Sequence, residues 1–157
     1  GEFPMKLTRR NFLTTSLGFA LTTLTTGIAL AKGRIFNSGG KAIRGYDTVA
    51  YFKVGKPVKG KGKFSTKWQG ATWQFANKEN LDAFKKSPKK FAPLYGGYCS
   101  WAMSQGRVAT TVPEAWDIVG GKLYLNFSLG IRKKWRTDIR GHIKQANRHW
   151  PKVSKTL

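Results

Sequence analysis

Phe64-Ser-Thr-Lys-Trp68-Gln-Gly70-Ala-Thr-Trp73-Gln-Phe75 decides the fold class of this chain. It holds two short aromatic-rich runs, carrying Phe64 and Trp68 on one side and Trp73 and Phe75 on the other, joined by a Gln69-Gly70 pair that suits a tight turn. The stretch therefore reads as a β-hairpin. A second hairpin is expected where Trp116-Asp-Ile118-Val119 and Lys122-Leu123-Tyr-Leu125-Asn-Phe127 flank Gly120-Gly121.

Helical signals lie around these hairpins. Asp47 is placed to cap a short apolar turn through Phe52, and Asn77 to cap a helix over residues 78–86 with Leu81 and Phe84 on its buried face. Ser87-Pro88 ends that helix, and Pro88 opens a further turn through Phe91. Residues 55–62 read as a surface loop, and residues 107–112 as a strand that Pro113 breaks. Ser128 caps a final helix with Ile131, Trp135, Ile139 and Ile143 on one face, expected to bend near Gly141 and to stop at Pro151. The class is α+β: a small single domain with two antiparallel β-hairpins, several short helices and a longer C-terminal helix.

The ends of the chain carry a different kind of signal. Gly-Glu-Phe-Pro at residues 1–4 precedes a Met and reads as an expression scar. Residues 5–31 read as an export signal: Arg9-Arg10 within Thr8-Arg9-Arg10-Asn11-Phe12-Leu13 matches the twin-arginine pattern, a Thr-rich apolar run follows, and Ala29-Leu30-Ala31 offers a small-x-small cleavage site. The run is short and diluted by hydroxyls, so it predicts no stable membrane anchor after cleavage. A bacterial periplasmic location follows as an expectation. Residues 32–44 lack periodicity and are expected to form a flexible leader, with the folded domain over residues 45–152.

The charge is extreme. The chain carries 29 Lys and Arg against 7 Asp and Glu, a formal +22, and loss of the first 31 residues removes three cations and one anion to leave about +20. Such a field attracts anionic surfaces or an acidic periplasmic protein. Nucleic acid is not expected, because the lysines are scattered and an exported chain rarely meets it.

Chemistry concentrates in Tyr95-Gly-Gly-Tyr98-Cys99-Ser-Trp101-Ala-Met103-Ser-Gln-Gly106, which holds the one cysteine. A helix over residues 98–105 would put Cys99 and Met103 on a shared face. A thiolate beside a thioether is a soft pair suited to Cu(I), with His142 as a candidate third ligand. The same two residues also suit a packed core, with Cys99 structural. A cleft of Tyr46, Tyr51, Trp73, Tyr98 and Trp101 would suit an organic ligand or a protein segment, although such aromatics equally fill cores. Cys99 with His142 could be drawn as a nucleophile and base, or as a redox thiol. No strained elbow, oxyanion loop, phosphate cradle or haem-attachment motif accompanies them, so no enzyme is expected.

Gly45-Tyr-Asp-Thr-Val-Ala-Tyr-Phe52, Trp68-Gln-Gly-Ala-Thr-Trp-Gln-Phe75, residues 84–93, Gly96-Gly-Tyr-Cys99, Pro113-Glu-Ala-Trp116 and Gly121-Lys-Leu-Tyr-Leu-Asn126 together resemble the exported single-domain members of the YHS-domain family. The resemblance covers nearly all of the chain after the signal. It implies a role near heavy-metal handling, since copies of the family domain accompany copper transporters and metal-resistance proteins. The family's metal-linked thiols would fall at Ala50, Ala76 and near Asn80, where this chain has none. The resemblance thus leaves two expectations: a periplasmic binding or accessory protein that holds copper or another soft metal through Cys99, or a non-metal binding module with Cys99 structural.

Overall fold

A computed structural model of the chain describes residues 33–157. The residues read as a scar and an export signal, Arg9 and Arg10 among them, lie outside the described residues.

The first hairpin forms as its sequence dictates. Strands β3 (Lys61–Trp68) and β4 (Ala71–Phe75) pair antiparallel, with Trp68 opposite Ala71 and Thr66 opposite Trp73. Gln69 and Gly70 both take positive φ, 48° and 77°, the mirror-image turn whose twist matches that of the flanking strands. Alternation along β4 sends Ala71, Trp73 and Phe75 to one buried face. There Trp73 stacks on Phe84 at 4.9 Å, meets Trp68 edge-on at 5.6 Å and donates its indole N–H to the Trp68 carbonyl at 3.0 Å.

The expected leader is instead part of the fold. Strands β1 (Asn37–Ser38) and β2 (Lys41–Ala42) form a two-residue hairpin through Gly39-Gly40 and complete a four-stranded sheet in the order β1-β2-β4-β3. The β2–β4 contact is one parallel pair, Lys41 opposite Thr72, which departs from the all-antiparallel expectation. Ile35 and Phe36 are only 4% and 6% exposed, the Phe36 N–H donates to the Gly96 carbonyl at 2.8 Å, and the Tyr98 hydroxyl donates to the Gly33 carbonyl at 2.7 Å. Two buried side chains and two long-range hydrogen bonds hold this stretch, and neither leaves a periodic trace in the sequence.

Helices follow with their caps. In α1 (Thr48–Lys53) the Asp47 Oδ1 accepts from the N–H groups of Val49 at 2.9 Å and Ala50 at 3.1 Å. Its Oδ2 accepts from Ala76 N at 2.9 Å and Asn80 Nδ2 at 2.7 Å, so one buried carboxylate ties α1, the end of β4 and the start of α2 (Lys78–Lys86) together. Asn77 caps α2, and Pro88 begins α3 (Pro88–Phe91). Residues 107–112 join no strand ladder; besides local turn bonds to Ala102 and Ala115, their backbone bonds are Cys99 N–H to Ala109 O and Val112 N–H to Asn126 O.

The second hairpin, β5 (Trp116–Val119) and β6 (Lys122–Leu125), stands between two cores. Leu123, Leu125 and Trp116 face the core built on Trp73, Phe75 and Phe84. Tyr124 and Val119, on the opposite face by alternation, enter a second core with Tyr95, Met103, Trp135 and Ala146.

The C-terminal region is two helices rather than one that bends at Gly141. Ser128 caps α5 (Leu129–Arg136), the chain breaks at Thr137 and Asp138, and Asp138 caps α6 (Ile139–Val153) by accepting from Gly141 N at 2.9 Å. A competent cap close before Gly141 restarts the helix, and that local bond overrides the glycine. Pro151 lies inside α6, near its end, where a proline forfeits only one bond; the ladder resumes with Ser154 N–H on the Trp150 carbonyl at 2.8 Å.

Asp117 joins the second hairpin to α5. Its buried carboxylate receives Arg132 in a two-point contact at 2.8 and 2.9 Å and also pairs with Arg136. Burial alone would push this carboxyl up, but the hydrogen bonds and charges of Arg132 and Arg136 outweigh it and hold the group below its ordinary range. A depressed carboxylate contributes stability above its unfolded-state pKa of about 4, and that contribution is lost as pH falls through the lower folded value. Asp117→Asn is therefore expected to cost about 1–3 kcal/mol at neutral pH, and to narrow the gap from wild type as both are acidified below about pH 4. Urea denaturation at several pH values measures both; a gap that widens in acid would refute the ion-pair assignment.

Candidate functional site

The segment leading to Cys99 is held by two close approaches. Tyr95, Gly96 and Gly97 all take positive φ, 56°, 62° and 83°. A methyl on Gly96 would overlap the Arg34 carbonyl, and one on Gly97 would overlap the Ile43 side chain, so glycine lets the loop press against the N-terminal stretch. Tyr95 accepts its strained backbone while its hydroxyl donates to Asn147 Oδ1 at 2.8 Å from α6.

Cys99 is the N-cap of α4 (Ser100–Ser104) and not a member of it. Its Sγ accepts from Ala102 N at 3.5 Å and Phe127 N at 3.3 Å, and its S–H points to Asn126 Oδ1 at 3.6 Å. The same Asn126 oxygen accepts from Trp101 N at 3.1 Å. Cys99 is 1% exposed, and burial pushes its thiol up despite the backbone N–H groups of Ala102, Phe127 and Trp101, which pull it down. The protonated thiol is a poor nucleophile and a poor soft ligand.

Beside Cys99 lies a groove of about 300 Å³, lined by Cys99, Trp101, Ala102, Arg107, Val108, Ala109, Phe127 and Ile131. Its walls are mostly apolar. Charge comes from Arg107, while the Lys134 ammonium sits 5.8 Å above the Trp101 ring. Close to the groove, the fully buried Asn126 amide nitrogen and Ser100 hydroxyl have no protein partner among the described residues.

No family model, curated protein or solved structure matches this chain. Its site must be read from its own residues.

The soft-metal set does not assemble. Met103 is fully buried in the second core against residues such as Tyr124 and Trp135, and neither it nor His142 lines the groove. His142 places Nδ1 2.8 Å from the Trp135 carbonyl. The four-residue spacing from Cys99 to Met103 fails as a shared face because Cys99 lies outside the helix and its sulfur turns back onto the helix N-terminus. Among the described residues, no group of three or more His, Cys, Asp and Glu side chains is placed to hold a metal ion. Cys99, Met103 and His142 are thus not gathered along one groove.

The aromatic cleft does not form either. Tyr51 and Trp73 are buried in the first core, Tyr51 with its hydroxyl on the Pro113 carbonyl at 2.8 Å. Tyr98 packs on Phe36, and Tyr46 lies under the Lys59 ammonium at 4.9 Å. Of the five aromatics, only Trp101 lines the groove. Arg107 and Val108 join it from the chain just after α4, and Phe127 and Ile131 from beyond the second hairpin, which no spacing rule links to Cys99.

Proposed function

We propose that this chain is an exported, non-enzymatic binding or accessory domain of the YHS type, whose groove beside Cys99 takes a small apolar organic anion and whose Cys99 is structural. The observation that carries this reading is the engagement of Cys99 Sγ with Ala102, Phe127 and Asn126 along the edge of an apolar groove that also holds Arg107. A ligand there would lay an apolar body on Trp101, Val108 and Ile131 and set its anionic group toward Arg107. The buried thiol supports a packing role over metal capture, and among the described residues its hydrogen-bond partners, Ala102, Phe127 and Asn126, include no base. The twin-arginine pattern and the family resemblance support a periplasmic accessory role; the strong positive charge supports an anionic ligand or partner.

Two titrations of the chain from residue 32 onward test this reading. Cu(I), against a competing chelator, is expected to bind wild type and Cys99→Ser equally weakly. Anilinonaphthalene sulfonate, an apolar aromatic anion, is expected to bind in the groove, with the rise in the probe's own fluorescence as reporter and Arg107→Gln weakening it roughly fivefold. Stoichiometric tight Cu(I) binding that disappears in Cys99→Ser would overturn the proposal and restore soft-metal handling.

A further inference from the structure

We propose that the corner between β6 and α5 docks this protein on an anionic phospholipid bilayer, with Phe127 and Leu129 entering the headgroup boundary and Lys133, Lys134 and Arg107 meeting the phosphates. The argument starts from where apolar area is left uncovered. Phe127 is 51% and Leu129 59% exposed, two residues apart on one turn of chain, while Asn126 before them is fully buried. Large apolar side chains left half in water so close together mark an interaction surface rather than scattered exposure.

The charges around the pair identify the occupant. Helix α5 carries Arg132, Lys133, Lys134 and Arg136 and no acid. Its two arginines are committed to Asp117, whereas neither lysine has a carboxylate within 4.0 Å among the described residues. Lys133 follows Leu129 by four positions and so shares its outward face. Arg107 and Phe127 line one groove, and Lys134 lies over Trp101 of that groove, which puts these cations at the same end of the molecule. Apolar tips backed by cations match the layering of a bilayer surface, with phosphates outside and acyl chains within. Lysine ammonium groups suit fluid headgroups, because they act as point charges without the directional fork that a fixed carboxylate on a protein partner would favour. The binding is peripheral: among the described residues no helix is long and apolar enough to cross a membrane. It does not require the groove to hold a ligand.

Co-sedimentation of the chain from residue 32 onward with vesicles tests the proposal, using phosphatidylcholine alone or mixed with phosphatidylglycerol. Binding is expected only to the mixed vesicles and is expected to weaken with salt. Phe127→Ser with Leu129→Ser should weaken it on the order of tenfold, and Lys133→Glu with Lys134→Glu by a similar factor. Lys85→Glu with Lys86→Glu makes the same charge change on α2, which packs on the other core, and should alter binding by less than about twofold. Thermal melts confirm that each variant is folded. An equal loss from the α2 pair would reassign binding to diffuse charge and overturn the proposal, as would full retention of binding in the Phe127 and Leu129 variant. Equal affinity for poly-glutamate, lost with the lysines but not with Phe127 and Leu129, would assign the corner to an acidic protein instead.

Discussion

Asp47→Asn is expected to cost the domain a large share of its stability, although it deletes no atom of packing. Both oxygens of this fully buried carboxylate are in use, one by Val49 N and Ala50 N and the other by Ala76 N and Asn80 Nδ2. An amide offers one acceptor oxygen, so whichever way it turns, its NH₂ faces two donors. Each buried donor left without an acceptor costs about 1–3 kcal/mol, which puts the substitution at about 4 kcal/mol and the fall in melting temperature at roughly 15 °C for a domain of this size. Asp47→Ala should be at least as damaging. Thermal melts of the two variants read this directly; an Asn variant that melts within about 3 °C of wild type would show that the carboxylate is not the junction of α1, β4 and α2.

The second large effect separates core from site. Trp73→Ala should cost about 3–5 kcal/mol, because the ring is 1% exposed, stacks on Phe84 and leaves a cavity that the sheet cannot close. Trp101→Ala, at a half-buried position beside the groove, should cost no more than about 1 kcal/mol yet abolish most binding of an apolar anion. Urea denaturation paired with ligand titration distinguishes the two. A Trp73 variant of wild-type stability with reduced ligand binding would return that residue to a binding role.

These contrasts follow what the sequence does and does not encode locally. Gln69-Gly70, Gly120-Gly121 and the caps at Asp47, Asn77 and Ser128 were legible because each acts through backbone within a few residues of itself. Anchoring of residues 33–44 was not, because Phe36 is held by Gly96, sixty positions away, and Ile35 by the first core. The aromatic cleft failed for a related reason: Tyr51 and Trp73 reach burial inside the first core and Tyr98 against Phe36, positions decided by tertiary packing. The soft pair failed on a single boundary. Had α4 begun one residue earlier, Cys99 would have been a helical residue and its spacing to Met103 meaningful; as the N-cap, its sulfur is claimed by Ala102. Of the groove, sequence located only the stretch around Cys99 and Trp101. Phe127 and Ile131 follow the second hairpin, and only the placement of that hairpin between the two cores brings them to Cys99.

That hairpin also governs how the molecule comes apart. Because Leu123 and Leu125 belong to one core and Tyr124, between them, to the other, neither core can lose its order without stripping the wall of its neighbour. The two halves are coupled into one cooperative unit, and a local opening at either end must stop short of β6 or become complete unfolding.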